Sequence, residues 1–321
     1  TDFYANLADI MPDSDLNSLK NDLMSNIESD KDSRGDWEKT YREGLEYLGM
    51  KYEERSQPFE GASGVMHPLL SESVTQFQAQ AYNELLPSQG PVKTQVLGMT
   101  TPETEQQAAR VQEFMNYQLM QVMKEYDPET DQMLFYLPLS GSAFRKVYYD
   151  QNLGRAVSKF IPSEDLIVPY SATDLHSATR ITHVINMPMN DIRKLQQIGF
   201  YSDVDIDSGN MMADETDDIQ EGIDELQGVK PSYDDDDTCK VHEIHTELDI
   251  EGFEDMNAEG EDTGIKLPYI VTIGNNKVLS IRRNYKENDQ LKQRINYFVH
   301  YKFLPGLGFY GFGLTHMIGG L

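Results

Sequence analysis

The stretch RINYFVHYKFLPGLGFYGFGLTHMIGGL, Arg294 to Leu321, decides how this chain is read. Ile295, Tyr297, Val299 and Tyr301 alternate with Asn296, Phe298, His300 and Lys302, the period-two pattern of a strand rich in aromatic and β-branched side chains. Pro305 and Gly306 end it. Gly308, Gly311 and Gly313 then punctuate an aromatic segment, where they are expected to admit backbone angles that a Cβ would resist. With Gly306 they form a candidate hinge. From Leu314 onward, Leu314, Met317, Ile318 and Leu321 fall at helical spacing, so the sequence predicts a helix only just starting and a further part of the molecule beyond it.

Working outward, KLPYIVTIG and KVLSIRRN flank Asn275-Asn276, residues tolerant of left-handed angles, and predict a hairpin. TCKVHEIHTELD, Thr238 to Asp249, alternates as a further strand. These strands and the Tyr297 strand are expected to form one antiparallel sheet. His242 and His245 suggest a metal pair, but residues three apart on a strand point to opposite faces, and no third ligand is suitably spaced.

Tyr201 to Asp237 differs in kind: it holds 14 acidic residues against Lys230 alone, so a flexible, solvated insertion with little core-forming capacity is expected. Asp203, Asp205 and Asp207 alternate as at the start of a calcium loop. Ser208 stands where such a loop needs glycine and Asp214 where it needs a bidentate glutamate, which argues against calcium.

The first half is mostly helical in pattern. Leu16, Leu19, Leu23 and Ile27 mark one amphipathic helix over Asp15 to Ser29. Trp37, Tyr41, Leu45 and Leu48 mark a second over Ser33 to Met50, with Ser33 or Asp36 as N-cap. Gln57 to Val65 is aperiodic and reads as a loop; its Gly61 and Gly64 lack the Lys-Ser/Thr pair of a phosphate-binding loop. Pro68 opens a helix expected to be buried, striped by Leu69, Leu70, Val74, Phe77, Ala81, Tyr82 and Leu85.

Val92 to Leu97 reads as a strand. Thr101 caps a helix over Pro102 to Glu125 whose Ala109, Val111, Phe114, Met115, Leu119 and Val122 are expected to face a core. Tyr126-Asp127-Pro128 breaks it before another helix, Glu129 to Leu139. From Ala143 the period turns to two, and FRKVYYD and AVSKFIP around Asn152 to Gly154 predict a basic hairpin. Its Arg145, Lys146, Arg155 and Lys159 are the candidate DNA-facing residues, although four cations equally suit a solvated face. Strands at Asp165 to Pro169 and Arg180 to Met187 follow, then a helix over Asp191 to Ile198 capped by Asn190 and closed by Gly199.

Composition bounds what such a chain does. At 321 residues and 39% hydrophobic it can bury a sizeable core, and its 18 tyrosines suit subunit contacts as well as packing. One cysteine, Cys239, excludes an intramolecular disulfide and is too few for a thiolate metal cluster, which points to a reducing cytoplasm. No run approaches the roughly 20 apolar residues of a membrane span, and the opening TDFYANLADIMPDSD lacks signal-peptide form, so a soluble protein with no membrane partner is expected. A net charge of −27 argues against a tight duplex clamp, which needs clustered Lys and Arg. It is compatible with a channel whose wall offers phosphate few places to stick.

LPGLGFYGFGLTHMIGGL, together with GASGVMHPLLSESVTQFQAQAYNELLPSQGPVKT at Gly61 to Thr94, resembles the portal proteins, or head-to-tail connectors, of tailed bacteriophages, in the short-tailed branch. The likeness runs from about Trp37 to Leu321 and is weakest in the acidic segment. It implies an α+β chain with a portal-like wing leading into a helical stem. On that basis the chain divides into an N-terminal helical region (1–60), a wing-like body (61–200), the acidic insertion (201–237), an antiparallel β region (238–305) and the turn into a stem helix (306–321), with stem, clip and any crown outside it.

The resemblance further implies a ring homo-oligomer, commonly a dodecamer, at one capsid vertex of the virion, made in the host bacterial cytoplasm. Double-stranded DNA passes through it without sequence specificity, packaged by the terminase motor and later ejected into the tail. The major capsid protein, terminase and tail adaptor proteins would be its partners. No catalytic residue, metal or cofactor is expected, and no nucleophile elbow, HExxH, P-loop or kinase signature is present in the sequence. Two alternatives belong to other classes: a head-tail adaptor or scaffold-binding protein without a channel, and a Mg²⁺-dependent nuclease-like enzyme using the aspartate cluster.

Overall fold

The computed structural model describes residues 2–48, 68–206, 223–224, 226, 238–257 and 259–318. In chain order the main elements are α1 (Asp13–Asp32), α2 (Gly35–Glu46), α3 (Leu69–Leu85), α4 (Pro102–Tyr117), α5 (Tyr126–Ser140), β1 (Ser142–Asp150), β2 (Arg155–Pro162), β3 (Leu166–Ile167), β4 (Arg180–Pro188), α6 (Met189–Gln197), β5 (Thr238–Leu248), β6 (Leu267–Gly274), β7 (Lys277–Arg283) and β8 (Phe298–Lys302), then a helical turn at Leu314–Ile318. Helices combine with two antiparallel sheets, an α+β composition. None of the described helices is long and apolar enough to cross a membrane. The chain divides into two compact units that cut across the five consecutive segments expected from sequence: Thr1–Lys39 with Glu164–Asn296, and Thr40–Ser163 with Tyr297–Leu321.

The first unit is built on a five-stranded sheet in the order β3-β4-β5-β6-β7. Asn275 and Asn276 take φ of 43° and 61°, the left-handed pair that lets two residues join β6 to β7 with the twist of the strands. Leu16, Leu19, Leu23 and Ile27 of α1 pack as their spacing predicts on Ile244, Val271 and Ile281. The other face is covered by Met189 and Ile192 of α6, with Tyr201 and Ile206 against Val241 and Leu279. Tyr201 and Ile206 are thus core-forming residues at the start of a segment expected to have little core-forming capacity. The rest of the acidic insertion, including Asp207, Ser208 and Asp214, lies outside the described residues apart from 223–224 and 226.

Both sheet edges are blocked by side chains. At β7 the Asn6 amide accepts from the Ile281 N–H (2.9 Å) and donates to the Leu279 carbonyl (3.2 Å). At β3 the Arg34 guanidinium donates to the carbonyls of Leu166 (2.8 Å) and Glu164 (2.6 Å). An edge so occupied cannot accept a stray strand. Ser33 does not open α2 but closes α1, its hydroxyl donating to Asp30 O, and Asp36 lies inside the first turn of α2. Asn190 likewise falls inside α6, which Pro188 precedes and Gly199 (φ 72°) follows.

The second unit holds a three-stranded sheet in the order β2-β1-β8. β8 therefore does not join β5, β6 and β7, contrary to expectation. Its register on β1, Ser142↔Lys302 to Lys146↔Phe298, is prolonged at both ends by Phe303 N–H to Gly141 O and Val147 N–H to Tyr297 O. These non-local bonds leave no trace in local periodicity. Met133, Leu134 and Leu137 of α5 cover one face of this sheet with Ala143 and Phe160, and Phe77, Ala81 and Tyr82 of α3 close the far side of the cluster.

Three sequence expectations fail among the described residues of this unit. Of the α3 stripe only Leu70 and Val74 are buried, while Leu69 and Leu85 are exposed. Val92 to Leu97 makes no strand; it runs along α4, tied by side chains. α4 itself, capped as predicted by Thr101, contains no buried residue and ends at Tyr117 in a π-helical turn, Gln118–Val122. The loop predicted at Gln57 to Val65 lies outside the described residues.

Candidate functional site

Residues 303–318 pack into one knot on the end of α5. β8 runs out at Lys302, and the chain folds back so that the Phe312 N–H donates to Leu304 O (2.9 Å). The Gly311 N–H donates to Ser142 Oγ (2.7 Å), and Thr315 Oγ1 donates to Leu139 O (2.7 Å). Gly141, in the left-handed region at φ 80°, closes α5 beneath them.

The four hinge glycines do different work from that expected. None takes a φ between +20° and +160°. Two are needed because backbone passes over backbone: a Cβ on Gly313 would lie 2.0 Å from Leu139 O, and one on Gly311 would lie 2.3 Å from Gly141 O. At Gly306 a Cβ would meet Tyr310 O at 2.9 Å, while at Gly308 it would meet nothing within 4 Å. Gly311 and Gly313 thus clamp backbone against backbone. Thr315, 3% exposed, fastens the start of the helical turn, whereas Met317 of the predicted apolar stripe is exposed. Gly44 of α2 faces Thr315, where a Cβ would lie 2.2 Å from the Thr315 Cβ.

Aromatic rings seal the sheet face beside the clamp. Phe309 stacks on Phe144 with centroids 5.9 Å apart and lies 4.7 Å from the His300 ring. Burial, aided by the Lys302 ammonium, pushes His300 down to about 3, so the imidazole is neutral across ordinary pH. Its Nε2 lies 3.1 Å from Ser142 Oγ. Ser142 is thus shared by a strand, a turn and a histidine, which sequence spacing alone did not indicate.

The candidate DNA-facing cations do not form one surface. Arg145 is 3% exposed: it donates to Ser158 Oγ (3.0 Å) and to Thr130 Oγ1, and its guanidinium lies 4.6 Å from the Tyr126 ring centroid. It faces α5, not solvent, which corrects its assignment. Arg155 is paired with Glu125 at 2.7 Å. Lys146 and Lys159 sit directly opposite each other on the other sheet face, where Lys159 is exposed and Lys146 half-buried, its ammonium over the Tyr148 and Phe298 rings. The outer edge of β2 is also closed, since the Phe160 N–H donates to the Glu129 carboxylate. Burial raises Glu129 above the usual carboxylate range despite that bond and the nearby Lys159 and Arg145 charges.

In the first unit, β5 passes through His242 and His245 without a bulge, so the two rings point to opposite faces; His245 pairs with Glu243 at 2.6 Å. Cys239 is buried among apolar side chains, and burial raises its thiol. Asp203 and Asp205 border a shallow cleft with Met189, Arg193 and Gln196. Among the described residues no group of three His, Cys, Asp or Glu side chains is placed to hold a metal ion. No family model matches this chain, and no curated protein matches its sequence.

Proposed function

We propose that this chain is the subunit of a phage portal: a ring at one capsid vertex through whose axis duplex DNA is packaged by a terminase motor and later ejected toward the tail. The observation that carries this reading is the clamp at Gly141, Gly311 and Gly313, of which Gly311 and Gly313 belong to one of the two stretches that carry the sequence resemblance. A helix continuing from Leu314 would leave this unit from a point fixed by backbone contact and by the Thr315 hydrogen bond. A stem helix needs such a rigid origin if many copies are to line one passage at one angle.

Charge supports the same reading. With Arg145 and Arg155 engaged inside the fold and a net charge of −27, the chain offers passing phosphate few firm holds. The work is assembly and passage, with no residue in a chemical step. The partners follow from that role: further copies of the chain, capsid protein, terminase and tail adaptors. Native mass spectrometry of the protein tests it. A single discrete oligomer at a fixed multiple of the 36.6 kDa chain is expected, and a monomer at every concentration would overturn the proposal.

A further inference from the structure

We draw no further inference here: the strongest candidate, the exposed apolar face of α4 at Val111, Phe114 and Met115, carries none because nothing in the structure shows what covers it.

Discussion

Gly313 stands where a methyl group has no room. Gly313→Ala would drive a Cβ into the Leu139 carbonyl oxygen, and Gly141→Ala would add a left-handed backbone penalty to a similar clash. Each is expected to cost about 2–4 kcal/mol in urea unfolding. Gly308→Ala, with open space around it, is expected to stay within about 0.5 kcal/mol. Equal losses at Gly308 and Gly313 would contradict the assignment of the cost to close backbone contact. Arg145→Met removes a buried guanidinium from Thr130 and Ser158, and a loss of about 2–3 kcal/mol is expected, against almost none for Lys159→Ala. An unchanged Arg145→Met protein with weakened DNA contact would instead return Arg145 to the surface. His300 supplies a pH test. Unfolded, it takes up a proton near its ordinary 6.5; folded, only near 3. Between those values the unfolded chain binds more protons, so this contribution to stability is complete above pH 6.5 and is lost as pH falls toward 3. His300→Phe is expected to flatten the acid slope of the unfolding free energy between pH 6 and 4 by as much as about 1.4 kcal/mol per pH unit. Unfolding curves at stepwise pH that keep the parent slope would contradict it.

At the scale of elements, Asn116 acts as a substitute strand for Val92 to Thr94, satisfying both polar groups of Val92 from a helix. Asn116→Ala is expected to speed hydrogen exchange at the Val92 amide at least about tenfold while leaving β1 and β2 unchanged, and unaltered exchange would place the restraint elsewhere. This pairing also explains what the sequence could and could not convey. Local signals were legible: the Thr101 cap, the Asn275-Asn276 turn, the Leu16 to Ile27 stripe and both hairpins each follow from a few neighbouring residues. Non-local choices were not. Nothing in the alternation of β8 says that it pairs with β1, and a period-two pattern cannot say which side a neighbouring helix covers. α4 has the pattern of a core helix, yet its polar stripe is the one that meets its own chain. The clamp was legible as a glycine-rich turn, but the reason for its glycines, backbone passing within reach of Leu139 and Gly141, required the fold.

At the scale of the molecule, each unit contains its own sheet and core, with sheet edges at β3, β7 and β2 occupied by Arg34, Asn6 and Glu129. Such edges resist indiscriminate strand pairing and leave assembly to side-chain surfaces. The strong acidic balance further discourages random association, which suits the proposed ring subunit. Image averages of the assembled full chain by electron microscopy test this most directly. The account expects rotationally symmetric closed rings with an axial hole wide enough for duplex DNA; solid particles or isolated monomers under assembly conditions would contradict it.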